Sequence, residues 1–168
     1  MTAKHVLHML VVVASIFGPV PLLAQESAAS NAAAQQNQAE GSAVARWQAD
    51  KTTIFSADEV VLEDFKWIAR PLIVFGQSPV QPAFIEQMEY IADRIDDLAR
   101  RDVIVISDSD PASKTAIREK FRPRDFQLTL VGKDGAIKLR KPFPWHVREI
   151  GRSIDKMPIR QREIREGR

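Results

Sequence analysis

FQLTLVGKDGAIKLR, residues 126–140, holds two short alternating runs on either side of a turn. Phe126, Leu128 and Leu130 alternate with Gln127 and Thr129, and Ile137 and Leu139 alternate with Lys138 and Arg140. A period of two places one set of side chains on a buried face and the other in water. An Asp134–Gly135 dipeptide between such runs is a favoured hairpin connection, so the stretch predicts an antiparallel β-hairpin.

Working outward, the preceding segments have a different texture. Leu72 to Phe75 and Val103 to Ile106 are unbroken apolar runs, as central strands covered on both faces require. Between them Phe84, Met88, Ile91, Ile95 and Leu98 recur at spacings of four, three, four and three, which predicts one amphipathic helix. Asp96 with Arg100 and Asp97 with Arg101 are expected ion pairs on its surface. Two such strands joined by a helix form a parallel βαβ unit with a right-handed crossover. Asp110 before Pro111 reads as an N-cap followed by proline at the first helical position, opening a short helix to about Phe121. A last helix opens near Pro144 and turns Trp145, Ile150, Ile154 and Met157 inward, until Pro158 disturbs it. The order β-α-β-α-β-β-α, with a hairpin after two crossover units, is that of an α/β thioredoxin-like fold: a central mixed sheet flanked by helices.

That fold usually does thiol chemistry, and the 168 residues contain no cysteine. Thiol–disulfide exchange, thiol peroxidase chemistry and thiolate metal binding are therefore closed to this chain on its own. The length suits one compact domain with appendages. A formal net charge of +2 conceals a division: residues 1–119 hold 10 basic and 16 acidic side chains, whereas residues 120–168 hold 14 basic and 6 acidic.

Residues 1–24 have the layout of a secretory signal peptide: a weakly basic start at Lys4, an apolar Val6 to Phe17, and Gly18, Pro19 and Pro21 before Ala24. Cleavage is expected after Ala24, with Ala29 a competing site. The apolar run is shorter than a bilayer-spanning helix needs, so an exported protein, periplasmic or secreted, with no stable membrane span is expected. Residues 25–46, rich in Ala, Gln, Asn and Ser, read as a linker that cannot bury enough surface to offset its chain entropy. The folded domain is then placed at 47–160, with a basic tail at 161–168 containing Arg162, Arg165 and Arg168.

FKWIARPLIVF (65–75), VGKDGAIKLRKP (131–142) and MPIRQRE (157–163) resemble an exported thioredoxin-like domain family of unknown function. Its relatives include sushi-repeat-containing secreted proteins and a coiled-coil-domain-containing matrix protein, where the domain has been likened to peroxiredoxins. The resemblance implies fold and export, and carries over no catalytic residues.

Where a thioredoxin would place its thiols, after the first central strand, this chain reads Gly76-Gln77-Ser78-Pro79-Val80-Gln81-Pro82. Ser78 and Gln81 are the candidate ligand-binding residues of that turn, with Ser78 also read as a helix cap. The loop after the second strand adds Asp108 and Asp110 beside it. Two carboxylates fall short of the oxygen count a calcium site needs, and His146 is the only histidine beyond the signal segment, so neither metal nor cofactor is expected. Arg122, Arg124, Lys138, Arg140, Arg148 and Arg152 form the second candidate set, a basic surface for acidic proteins or acidic envelope components; nucleic acid is not expected of an exported protein. The preferred expectation is a non-catalytic binding or scaffold module. Its alternatives are an enzyme or redox auxiliary using the polar turn residues, and an arginine-mediated binder of acidic envelope components.

Overall fold

The computed structural model describes residues 41–167, so the expected signal peptide and the linker as far as residue 40 lie outside the described residues. The first element among the described residues is helix α1 (Ala43–Ala49), capped by Ser42, whose hydroxyl accepts from the Ala45 amide at 3.2 Å. Trp47 is 2% exposed and meets Phe65 edge to face, with Ala43 and Val44 packed on the same cluster. The boundary drawn between 46 and 47 thus cuts a helix. Small residues that look like linker by composition are held here by one cap and one buried indole.

Strand β1 (Ile54–Ser56) pairs in parallel with β3 (Val103–Asp108), which pairs in parallel with β2 (Arg70–Phe75). On the other side of β2 lies β4 (Gln127–Val131), antiparallel, with Leu72 opposite Leu130, and beyond it β5 (Ile137–Lys141), also antiparallel. The sheet order is β1-β3-β2-β4-β5. Without the short edge strand β1, this is the thioredoxin arrangement, in which the second strand flanks the first and the hairpin completes the other side. The hairpin turn uses Gly135 at φ +78°, a backbone region that side chains disfavour, and the Gly132 amide closes onto the Ala136 carbonyl at 2.8 Å.

Alternation along β2 divides the core. Ile73 and Phe75 join Trp47, Phe55, Phe65, Ile104, Ile106, Ile117 and Phe121 on one face, while Leu72 and Val74 join Phe84, Ile91, Leu98, Leu128, Ile150 and Ile154 on the other. The helix expected through 84–98 is broken into α2 (Pro82–Ala92) and α3 (Ile95–Ala99). Both halves keep their apolar stripe inward, but the break rephases the surface. Asp97 pairs with Arg94 and Arg100, and Arg101 crosses to Asp155 at 2.8 Å, so the expected Asp96–Arg100 and Asp97–Arg101 pairs are not found among the described residues.

After β3, a 3-10 turn (Pro111–Ser113) capped by Asp110 leads through a left-handed Lys114 into α4 (Ala116–Phe121). Helix α5 (Val147–Asp155) starts later than Pro144, because the Gln87 amide clamps Trp145: the Trp145 amide donates to it at 2.7 Å and the Trp145 carbonyl accepts at 3.2 Å. Pro158 opens a further helix, α6 (Pro158–Arg165), at a position where a missing amide proton costs nothing. The expected basic tail is therefore helical to Arg165, and its Glu163 is buried. No helix among the described residues is long and apolar enough to cross a membrane.

Candidate functional site

Strands β2 and β3 end in register, Phe75 opposite Asp108, which brings the Gly76–Gln81 turn beside Asp108 as the topology requires. The Gly76 amide donates to the Asp108 carbonyl at 2.8 Å. A Cβ on Gly76 would lie 2.9 Å from the Phe84 ring, so the turn can approach α2 this closely only with glycine. Asp108 is not a solvent-facing ligand, however. It is 4% exposed; its carboxylate accepts from Thr115 Oγ1 at 2.9 Å and from Arg118 Nε and Nη2 at 3.0 and 2.7 Å. Arg118 Nη2 also donates to the Gly76 carbonyl at 2.8 Å. This guanidinium ties together the ends of β2, β3 and α4.

The remaining turn residues serve the backbone as well. Helix α2 takes Gln81 as its N-cap residue, so the capping role expected of Ser78 is not observed; the Ser78 carbonyl accepts from the Gln81 amide at 3.2 Å. Gln81 Oε1 accepts from the Gln77 amide at 2.8 Å, and its Nε2 donates to Asp125 at 2.8 Å. Asp110 accepts from the Ala112 amide at 2.9 Å. A nucleophile with an adjacent base is not assembled here among the described residues, and no cluster of metal-ligating side chains occurs among them.

The basic residues do converge, in part. A groove of about 690 Å³ opens where α4 ends and β4 and β5 begin and finish, lined by Lys120, Arg122, Arg124, Arg140 and Lys141 around Phe121 and Phe126. Arg122 ends α4 in a left-handed conformation, φ +49°, its amide donating to the Arg118 carbonyl at 2.8 Å. Arg140 lies over the Phe121 ring at 5.8 Å, and the Lys141 ammonium lies 4.6 Å from the Trp145 ring centroid. Lys120 reaches Glu63 at 3.3 Å, but Arg122, Arg124, Arg140 and Lys141 form no ion pair among the described residues. The groove's own carboxylate, Asp125, is occupied by Gln81.

A family model described as Domain of unknown function (DUF4174) matches residues 61–163, which spans β2 to α6 and includes the groove. The chain belongs to that family. No curated protein matches it. Among solved structures, a thioredoxin peroxidase I of Plasmodium yoelii is similar at 17% identity and a TM-score of 0.47, covering 65% of this chain and 82% of that one. The mitochondrial 2-Cys peroxiredoxin of Plasmodium falciparum is similar at 17% identity and a TM-score of 0.43, covering 68% and 90%. The thioredoxin-like assignment of this DUF4174 domain rests on its own strand order and connections.

The other expected basic residues of the domain do not share the groove. Lys138 pairs with Asp134 at 2.6 Å and Arg152 with Glu149 at 2.7 Å, while Arg148 lines a separate cavity of about 300 Å³ with Arg94, His146 and Glu149. The single basic surface expected from the sequence is thus divided.

A buried ionic cluster at the opposite end of the sheet escaped the sequence reading. Arg70, 1% exposed, donates from Nη2 to both oxygens of Glu163 at 3.0 and 2.9 Å, and Lys133 bridges Glu163 and Asp102 at 2.8 Å each. Burial pushes the Glu163 carboxyl up, but Lys133 and Arg70 outweigh it and hold the group below its ordinary value. Asp102 behaves alike: burial raises it, and Lys133 with Lys51 brings it lower. Four segments distant in sequence meet here, and no spacing rule links them.

Proposed function

We propose that this is an exported, non-catalytic binding domain whose groove at the end of α4 takes an anionic ligand. The observation that carries the reading is the gathering of Arg122, Arg124, Arg140 and Lys141 around one groove without acid partners, whereas Lys138 and Arg152 elsewhere on the domain are paired. Guanidinium groups recognise carboxylates, phosphates and sulfates through forked donors, and a groove lined by one sign of charge concentrates such groups. A non-catalytic reading is supported by the commitment of Asp108 to Thr115 and Arg118, of Gln81 to the Gln77 amide and Asp125, and of Asp110 to the Ala112 amide.

The test is titration of polyglutamate into the domain at low and high salt. The triple variant Arg122→Ala, Arg124→Ala and Arg140→Ala is expected to bind at least about tenfold more weakly, and affinity is expected to fall as salt rises. Arg152→Ala, on α5 and away from the groove, is the control that keeps wild-type affinity. Equal binding by the triple variant and the control would sink the reading.

A further inference from the structure

We infer that the anionic ligand is the surface of an anionic lipid bilayer, onto which the domain docks by the groove together with the loop Lys141-Pro142-Phe143-Pro144-Trp145. This rests on the anion-binding reading of the groove and adds the apolar half of the contact. Phe143 is 51% exposed and follows directly on Lys141 and Pro142, which line the groove. Its neighbours are both prolines, whose rings fix φ and leave the loop without two amide donors. The Lys141 ammonium stands 5.8 Å from the Phe143 ring and 4.6 Å from the half-buried Trp145 ring, so cation and aromatics form one patch.

A single exposed phenylalanine is ordinary on a protein surface. Its position is what matters here. A stiff aromatic tip flanked by unpaired cations matches the layered chemistry of a membrane interface, where rings enter the headgroup region and Lys or Arg meet lipid phosphates. A soluble polyanion would engage the cations and leave Phe143 in water. The charge complementarity is one-sided as well: Asp125, the carboxylate lining this groove, is held by Gln81.

The experiment is co-sedimentation of the domain with phosphatidylcholine vesicles, with and without phosphatidylglycerol, alongside polyglutamate titration. Expected are binding only to the phosphatidylglycerol vesicles, at least about tenfold weaker binding by Phe143→Ser through the apolar area kept out of the interface, and unchanged polyglutamate affinity in that variant. Brominated lipid is expected to quench Trp145 in a Trp67→Phe background. Phe143→Ser binding vesicles as tightly as wild type, or no vesicle binding while polyglutamate still binds, would overturn the membrane inference and leave the groove reading standing. Failure to bind either would overturn both.

Discussion

Both carboxylate oxygens of Asp108 are engaged by Thr115 and Arg118, so the residue is a strut rather than a site. Removing one partner of a buried pair strands the other's charge, which costs about 3 kcal/mol or more. Asp108→Ala is therefore expected to lower unfolding stability by about that amount, and Asp108→Ala combined with Arg118→Met to cost less than the sum of the two single changes. Urea denaturation of the four proteins measures both; additivity, or a cost for Asp108→Ala within error of zero, would refute the coupling. The sequence placed Asp108 in the loop after the second strand, whereas it is the last residue of β3, and it could not show its partner. Arg118 lies ten residues away across a 3-10 turn and a left-handed Lys114, and an arginine in a short helix is most often solvated. Arg122, Arg124 and Arg140 were legible as candidates by type, whereas their convergence depended on how α4, β4 and β5 meet.

Strongly periodic elements were legible, and those with one or two anchoring residues were not. The β2 and β3 runs and the β4–β5 hairpin follow from apolar continuity and alternation alone. Strand β1 has three residues and one buried side chain, Phe55, so it offers no period to detect. Helix α6 fails differently: its sequence PIRQREIR is polar nearly all round, and its inward group is a carboxylate. Glu163 docks it by charge, through Arg70 and Lys133, with Arg160 Nη1 3.3 Å away on the same helix. Glu163→Ala would leave Arg70 buried without its carboxylate, with an expected loss of about 3 kcal/mol. Because little apolar surface holds α6, its amides are expected to lose hydrogen-exchange protection before those of β2 and β3. Uniform loss of protection across the sheet and α6 would show instead that the helix is integral to the cooperative core.

At the scale of the molecule, the acidic first part and basic last part of the chain meet partly within the fold, at Lys120–Glu63 and Lys133–Asp102, and four cations of the last part that have no ion pair among the described residues, Arg122, Arg124, Arg140 and Lys141, line the groove. The same pairing sets how the domain responds to acid. Glu163 and Asp102 are held below their ordinary values of 4.5 and 3.8 by the cations around them, against the opposing effect of burial. Other carboxylates are lowered too, the exposed Glu63 by Lys66 and Lys120, and the half-buried Asp97 chiefly by Arg94. A carboxyl that is more acidic folded than unfolded binds more protons in the unfolded chain, so stability rises with pH across that window. The stabilisation is complete above the unfolded values and drains as pH falls from about 5 through the folded ones. Salt separates the contributions: ions screen the exposed pairs, while the cluster around Glu163, 6% exposed, is shielded from them. Urea midpoints measured from neutral pH down to about 3 are expected to fall with acid at both low and high salt, less steeply in Glu163→Gln, whose amide does not titrate. An acid slope identical in wild type and Glu163→Gln at high salt would place the responsible protons outside this cluster.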